Sequence, residues 1–186
     1  RGLVGSEMCI RDRAKGSFST PTDGRALTLV VVTELTSNDP AGLATAGVSM
    51  GIPGSPFDQS APRGCFLVGA EANLQGDTNA APFVFGSTVI HEAGHWMGLN
   101  HTTEATGTVF DTISDTPECT ADLYDGRDNA TFNVPGNANG RVEDHECDFD
   151  GGADNLMFWL GHPDYFIQRL STKQAQILRR HPYARL

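Results

Sequence analysis

Apolar residues are concentrated in three segments of the first hundred positions, each short enough to form a strand. Residues 26–33 (ALTLVVVT) are rich in β-branched side chains and predict a central strand. Residues 43–50 predict a shorter strand, and residues 64–70 predict a third. A helix is expected next, with Ser87 as its N-cap and Gly98 at its end. This order of strands and helix predicts an α+β fold.

The second half of the chain lacks a regular hydrophobic period. Residues 102–154 contain many Gly, Asn and Asp residues, and a loop of this length needs to be held by a metal, a disulfide or both. A helix is predicted again near the end of the chain, where Ser171 and Gln174 form a capping box. This helix is expected to extend to Arg180 and to stop at Pro182.

Length and charge restrict the class of protein. The chain has 186 residues, which suits one domain. Its 13 basic and 23 acidic residues give a net charge of −10, which argues against nucleic acid or an anionic membrane as a partner. No apolar run is long enough to predict a membrane span, and we expect a monomer. Residues 1–15 look like translated adapter sequence, so we expect the folded domain to comprise residues 16–186.

The string H-E-x-x-H-x-x-G-x-x-H occupies residues 91–101. His91 and His95 are four positions apart, so on a helix both imidazoles leave the same face, as two ligands of one zinc ion require. Gly98 allows the chain to leave the helix sharply and to return His101 as a third nitrogen ligand. Three protein ligands leave a fourth position open, which is typical of a catalytic zinc site.

Glu92 lies between the first two histidines and is the candidate general base for a zinc-activated water. Chance alone would produce this five-position motif in on the order of one chain in ten thousand of this length. A zinc site with a purely structural role is the other reading, but such a site has no use for the carboxylate of Glu92.

This motif resembles that of the metzincin zinc endopeptidases. Three further features narrow the resemblance to the ulilysin-like pappalysin family: Thr102, the triplet Asp115-Thr116-Pro117, and Asn155-Leu156-Met157. The resemblance spans roughly residues 25–182. It implies a metzincin catalytic domain with a twisted mixed β-sheet, a zinc-site helix, a C-terminal helix and a loop-rich lower subdomain. The implied activity is zinc-dependent hydrolysis of peptide bonds in peptides or proteins.

The resemblance also implies roles for particular residues. Met157 would form an apolar floor beneath the metal, as part of a Met-turn. The family usually has a tyrosine two positions later, where this chain has Trp159, whose indole can donate a hydrogen bond but cannot ligate zinc through oxygen. Trp159 is therefore a candidate contact to the transition state. The strand at residues 64–70 would be the sheet edge that pairs with an extended substrate.

Calcium is a second metal that the resemblance implies. The acidic stretch at residues 143–154 offers carboxylates as ligands, although it has no EF-hand pattern. A solvated acidic loop without a bound ion explains the same sequence. The remaining histidines lack ligand partners at helical spacing and are expected to lie on the solvated surface: His145, His162 and His181.

Three cysteines remain when Cys9, in the excluded segment, is set aside. Cys119 and Cys147 bracket a glycine- and asparagine-rich segment within this unpatterned stretch, and a disulfide between them would stabilise the fold by about 2–4 kcal/mol. The alternative is two reduced thiols in a cytosolic protein. Cys65 has no assigned partner. We expect a secreted or extracellular protein.

The sequence therefore predicts a secreted zinc endopeptidase. Two alternatives stay open. One is a metzincin of another branch, with the same chemistry and a different specificity pocket. The other is a zinc-binding protein or interaction module with a metzincin fold and impaired catalysis, which requires the departure at Trp159 to be disabling.

Overall fold

A computed structural model describes residues 28–35, 45–49, 51–54, 65–70, 81–129, 134–160 and 169–185. The segment at residues 1–15 lies outside this part of the chain. The elements are β1 (Thr28–Val32), β2 (Gly47–Ser49), β3 (Cys65–Gly69), α1 (Ala81–Trp96), α2 (Ala121–Tyr124), α3 (Asp144–Cys147), α4 (Thr172–Arg180) and a final 3-10 helix (Pro182–Arg185). The protein is thus a small α+β protein, as its sequence predicts.

The three strands form one mixed sheet in the order β1-β3-β2. β3 pairs in parallel with β1 and antiparallel with β2, with Gly47 opposite Val68. The expectation that residues 64–70 form a sheet edge is therefore wrong, because β3 has a hydrogen-bonded neighbour on each side. Within the described strands the central position belongs to β3 and not to β1, whose Val31 is 51% exposed.

α1 packs on the sheet through apolar residues spaced four positions apart. Three residues of the helix, with the residue directly after it, pack against the cluster of Phe66, Val68 and Trp96: Phe85, Val89, Ala93 and Met97. The helix begins at Ala81, so Ser87 lies inside it and the predicted N-cap was wrong. Packing of an apolar face stabilises a helix more than a capping side chain does, and this face begins at Phe85, before Ser87.

The chain divides into two compact units, Arg1–Leu99 with Ile177–Leu186 and Asn100–Gln176. In the second unit the described residues are mostly loops, apart from α2, α3 and the start of α4. Its core contains Cys119 and Cys147, which form a disulfide with a Cα–Cα distance of 5.6 Å. These are the two cysteines whose pairing was predicted from the sequence, and their bond closes a separation of 28 residues within the loop-rich stretch.

α4 begins with the predicted capping box. The backbone N–H of Gln174 donates to Ser171 Oγ at 3.1 Å, and the Ser171 N–H donates to Gln174 Oε1 at 2.8 Å. Asp115 adds a second cap, because its carboxylate accepts bonds from Ser171 Oγ at 2.7 Å and from the Lys173 N–H at 3.0 Å. The aspartate of the Asp-Thr-Pro triplet therefore holds the start of α4, and the Ser171 bond lowers its pKa.

His181 is buried, although a position on the solvated surface was expected from the sequence. It is 6% exposed, and its ring packs against Trp96 with centroids 4.8 Å apart. Burial lowers the pKa of His181, since the charged imidazolium is poorly solvated there. His145 is also partly buried, with Nδ1 3.6 Å from a Glu143 carboxylate oxygen, whereas His162 lies outside the described residues.

No helix in the described part of the chain is long and apolar enough to cross a membrane.

Candidate metal centre

Three histidines of the motif come together. The ligand atoms of His91, His95 and His101 all lie within 4.8 Å of one another. α1 supplies the first two, whose rings meet edge to face with centroids 4.7 Å apart. Gly98 follows the helix with φ of +105°, a conformation that a side chain would strain, and the chain then reaches His101. This group could hold a metal ion, as the spacing of the motif predicts.

Two of the three imidazoles are oriented by hydrogen bonds at Nδ1. His95 Nδ1 lies 2.8 Å from the carbonyl oxygen of Leu99, and His101 Nδ1 lies 3.0 Å from Glu104 Oε1. Because both partners are acceptors, the neutral imidazole carries its proton on Nδ1 and its lone pair on Nε2. This is the usual arrangement of histidines that bind a metal through Nε2.

Glu104 was not among the site residues predicted from the sequence. A signal for it exists, since a glutamate three residues after the third histidine can reach back to that ring when the chain turns. A carboxylate that accepts from the imidazole raises the basicity of the ring as a metal ligand.

Glu92 is buried in the first unit. Only 5% of it is exposed, and burial raises the pKa of its carboxyl group to about 8, although a hydrogen bond from the Ser49 backbone opposes this rise. Its Oε2 is buried and accepts no hydrogen bond within the described residues. An uncompensated buried carboxyl oxygen is costly, which is consistent with a further polar group or cation binding beside it.

Met157 is fully buried in the second unit, where hydrogen bonds hold its backbone on both sides. The Met157 N–H donates to Asn155 Oδ1 at 2.9 Å. The Met157 carbonyl accepts from the N–H of Thr102, also at 2.9 Å. Since Thr102 directly follows His101, the predicted Met-turn is tied to the segment that carries the third histidine.

Trp159 has a different partner from the one the resemblance suggests. Its indole N–H donates to the carbonyl of Val142 at 2.8 Å. The ring packs against the core that contains the disulfide between Cys119 and Cys147. An indole has one N–H donor, and here it satisfies a backbone carbonyl of a buried residue. A transition-state contact through Trp159 therefore gains no support from the structure.

Carboxylates of the acidic stretch organise backbone turns. Glu146 accepts three backbone N–H bonds, from Gly126 at 2.9 Å, Asn137 at 2.9 Å and Glu143 at 3.0 Å. Across the described ranges, the one group of three or more histidine, cysteine or acidic side chains with ligand atoms this close is the histidine group. The calcium expectation for residues 143–154 thus gains no support.

Comparisons with protein-family models, with curated proteins and with solved structures found no match to this chain. The class that the fold and the site define is a small α+β protein with a three-histidine group that could hold a metal ion.

Proposed function

We propose that the protein is a zinc-dependent endopeptidase of the metzincin class, related in its motif to the pappalysins. The observation that carries the proposal is the position of Glu92, which is buried between two histidines of a three-histidine group. A histidine group alone suits storage or structural binding of a metal. A buried carboxyl group in the same turn of helix adds an acid–base function.

The donor set fits zinc. Three neutral imidazoles with Nε2 lone pairs are the ligands of many catalytic zinc sites, and three ligands leave one position for water or substrate. The bonds of His95 to Leu99 and of His101 to Glu104 fix these rings before a metal binds. When bound, zinc supplies Lewis acidity, which lowers the pKa of a water molecule and polarises a carbonyl group.

Glu92 moves the proton. As a carboxylate it takes a proton from the attacking water, and as a carboxylic acid it delivers that proton to the leaving amine. Its buried surroundings raise its pKa to about 8, which favours holding the proton between these two steps. A nearby divalent cation lowers that pKa again and so favours the carboxylate form before the reaction starts.

The substrate is proposed to bind as an extended strand at the outer edge of β2. Within the described residues no strand pairs with that edge, and β2 is antiparallel to its neighbour β3. Ser49 of β2 hydrogen-bonds Glu92, so a peptide that pairs with β2 passes close to the general base. This replaces residues 64–70 as the substrate strand. The disulfide between Cys119 and Cys147 supports an oxidising, extracellular compartment.

The test is cleavage of a diverse peptide library by the zinc-loaded chain, with products identified by mass spectrometry. We expect cleavage by the wild type and a loss of several orders of magnitude in Glu92→Gln, with one zinc per chain in both proteins. Protein stripped of metal is the second control. If wild type and Glu92→Gln cleave equally, the cleavage does not depend on Glu92 and the assignment of Glu92 as general base is wrong.

A zinc-binding protein without peptidase activity is the second candidate. The hydrogen bond from Trp159 to Val142 favours it, because the one donor of Trp159, at the position where the family usually has tyrosine, is then occupied by a backbone carbonyl. Zinc bound with nanomolar affinity and no cleavage of any library peptide would favour this candidate over the endopeptidase.

A further inference from the structure

We propose that Gly47 is a positioning residue for Glu92. The inference rests on the proposed function, since it concerns how the general base is held. The finding behind it is steric. A Cβ atom at Gly47 would lie 2.5 Å from Glu92 Cγ, 2.6 Å from Oε1 and 2.8 Å from Cδ. All three distances are shorter than any stable contact between such atoms, so the carboxyl group of Glu92 occupies the space where residue 47 would carry a side chain.

The neighbouring backbone explains why the carboxyl group lies there. β2 contributes Gly47 and Ser49, and the Ser49 backbone hydrogen-bonds the carboxyl group. Because Gly47 has no side chain, the carboxyl group of Glu92 can lie against β2 within reach of the Ser49 backbone. Any other residue at position 47 would push Glu92 away from this partner.

Position 47 thereby fixes the geometry of the proposed reaction. Glu92 is held against β2, and we propose that the substrate binds at the outer edge of the same strand. β2 therefore sets the position of the general base relative to the substrate. A displacement of about 1 Å at a reacting group lowers rates by roughly a hundredfold in unfavourable cases. Gly47→Ala should therefore reduce kcat by roughly tenfold or more, while KM changes little and zinc remains bound.

The closing experiment is a double-mutant cycle in metal-free protein: wild type, Gly47→Ala, Glu92→Ala and the double variant. Gly47→Ala alone should lower Tm by about 4–8 °C through overpacking. In the Glu92→Ala background, where the clashing atoms are absent, the same change should have almost no effect. Gly86→Ala is the matched control. A Cβ at Gly86 in α1 meets no atom of the described residues within 4 Å apart from the helix's own backbone, so this variant should not lower Tm.

The cycle decides the proposal without any assay of activity. If Gly47→Ala lowers Tm equally in both backgrounds, the clash is not with Glu92 and the proposal is wrong. If the cycle shows the coupling but wild type cleaves no peptide, the positioning of Glu92 stands and the endopeptidase proposal fails. Where cleavage is observed, full kcat in Gly47→Ala would overturn the positioning role. A lower kcat in Gly47→Ala, with KM and zinc content unchanged, would support it.

Discussion

The side-chain amides of Asn155 and Gln174 hydrogen-bond each other reciprocally. Asn155 Nδ2 donates to Gln174 Oε1 at 3.0 Å, and Gln174 Nε2 donates to Asn155 Oδ1 at 3.1 Å. Both side chains are buried, with Gln174 fully enclosed. The same Asn155 oxygen accepts from the Met157 N–H. One amide pair thus joins the capping box of α4 to the predicted Met-turn.

Gln174→Ala should destabilise the protein by about 2–4 kcal/mol. It removes both bonds of the pair and half of the capping box, and it takes away the acceptor for the buried Asn155 Nδ2. Urea unfolding followed by circular dichroism measures the loss. Gln176→Ala is the matched control, because Gln176 is exposed on the same helix. Similar losses in the two variants would show that helix propensity, and not the amide pair, is responsible.

Reduction of the disulfide between Cys119 and Cys147 should cost about 3–4 kcal/mol. The bond closes a separation of 28 residues. It restricts the conformations of the unfolded chain, and the lost entropy raises the free energy of the unfolded state by about 3–4 kcal/mol. Both cysteines are fully buried, so a mild reductant should act only after denaturant is added. Peptide mapping after alkylation, with and without denaturant, follows the bond. The double variant Cys119→Ala/Cys147→Ala measures the stability. Free thiols in native protein from an oxidising host would contradict the pairing.

The pKa of Glu92 predicts how metal-free protein depends on pH. Its folded pKa of about 8 exceeds the ordinary pKa of 4.5 for a glutamate carboxyl group, so the folded state retains a proton that the unfolded state releases. The contribution of protonated Glu92 to stability should therefore be fully present below about pH 4.5 and be lost as pH rises towards 8. Glu92→Gln should unfold several degrees higher than wild type at about pH 8, and at nearly the same temperature at about pH 4.

Thermal melts of both proteins across this range measure the difference. Saturating zinc is the control, because a bound cation stabilises the carboxylate and should shrink the gap. A constant difference at all pH values would mean that the Glu92 carboxyl group is solvated in the folded protein.

Glu104→Ala should weaken zinc binding by roughly tenfold to a hundredfold. The change removes the acceptor for His101 Nδ1, which fixes the orientation and basicity of that ring. Competition with a chromophoric chelator gives the affinity. Glu118→Ala is the matched control, since it removes an equal charge from an exposed position of the same unit. An equal loss of affinity in both variants would indicate a general effect of charge and no specific role for Glu104.

How much the sequence could predict differs between local and distant features. The motif predicted the histidine group because all of its residues lie within one helix and the turn after it. The capping box of Ser171 and Gln174 could be predicted for the same reason, because it is also local in the sequence. The order of the strands could not be read in the same way, because β3 inserts between two strands that precede it in the chain. Ser87 has a good capping side chain, but apolar packing had already started the helix at Ala81.

The contact that Trp159 makes could not be predicted from the local sequence either. Its place two residues after Met157 suggested a role in catalysis, whereas its actual partner is the carbonyl of Val142, 17 residues away in the sequence. Nothing in the local pattern indicates that contact. The importance of Gly47 could not be predicted from the sequence for the same reason, because only the folded chain shows that Glu92 fills the space beside it.

Trp159→Tyr should therefore bring no gain in kcat. The indole bond to Val142 and the packing against the disulfide core hold residue 159 where it is, and a smaller phenol should lose part of both. We expect a loss of stability of about 1–2 kcal/mol, from one weakened hydrogen bond and a partly filled cavity. Trp159→Phe, which cannot donate at all, should lose somewhat more. Chemical unfolding and steady-state kinetics on one cleavable peptide measure both effects. A tenfold rise in kcat for Trp159→Tyr alone would show instead that residue 159 reaches the reacting atoms.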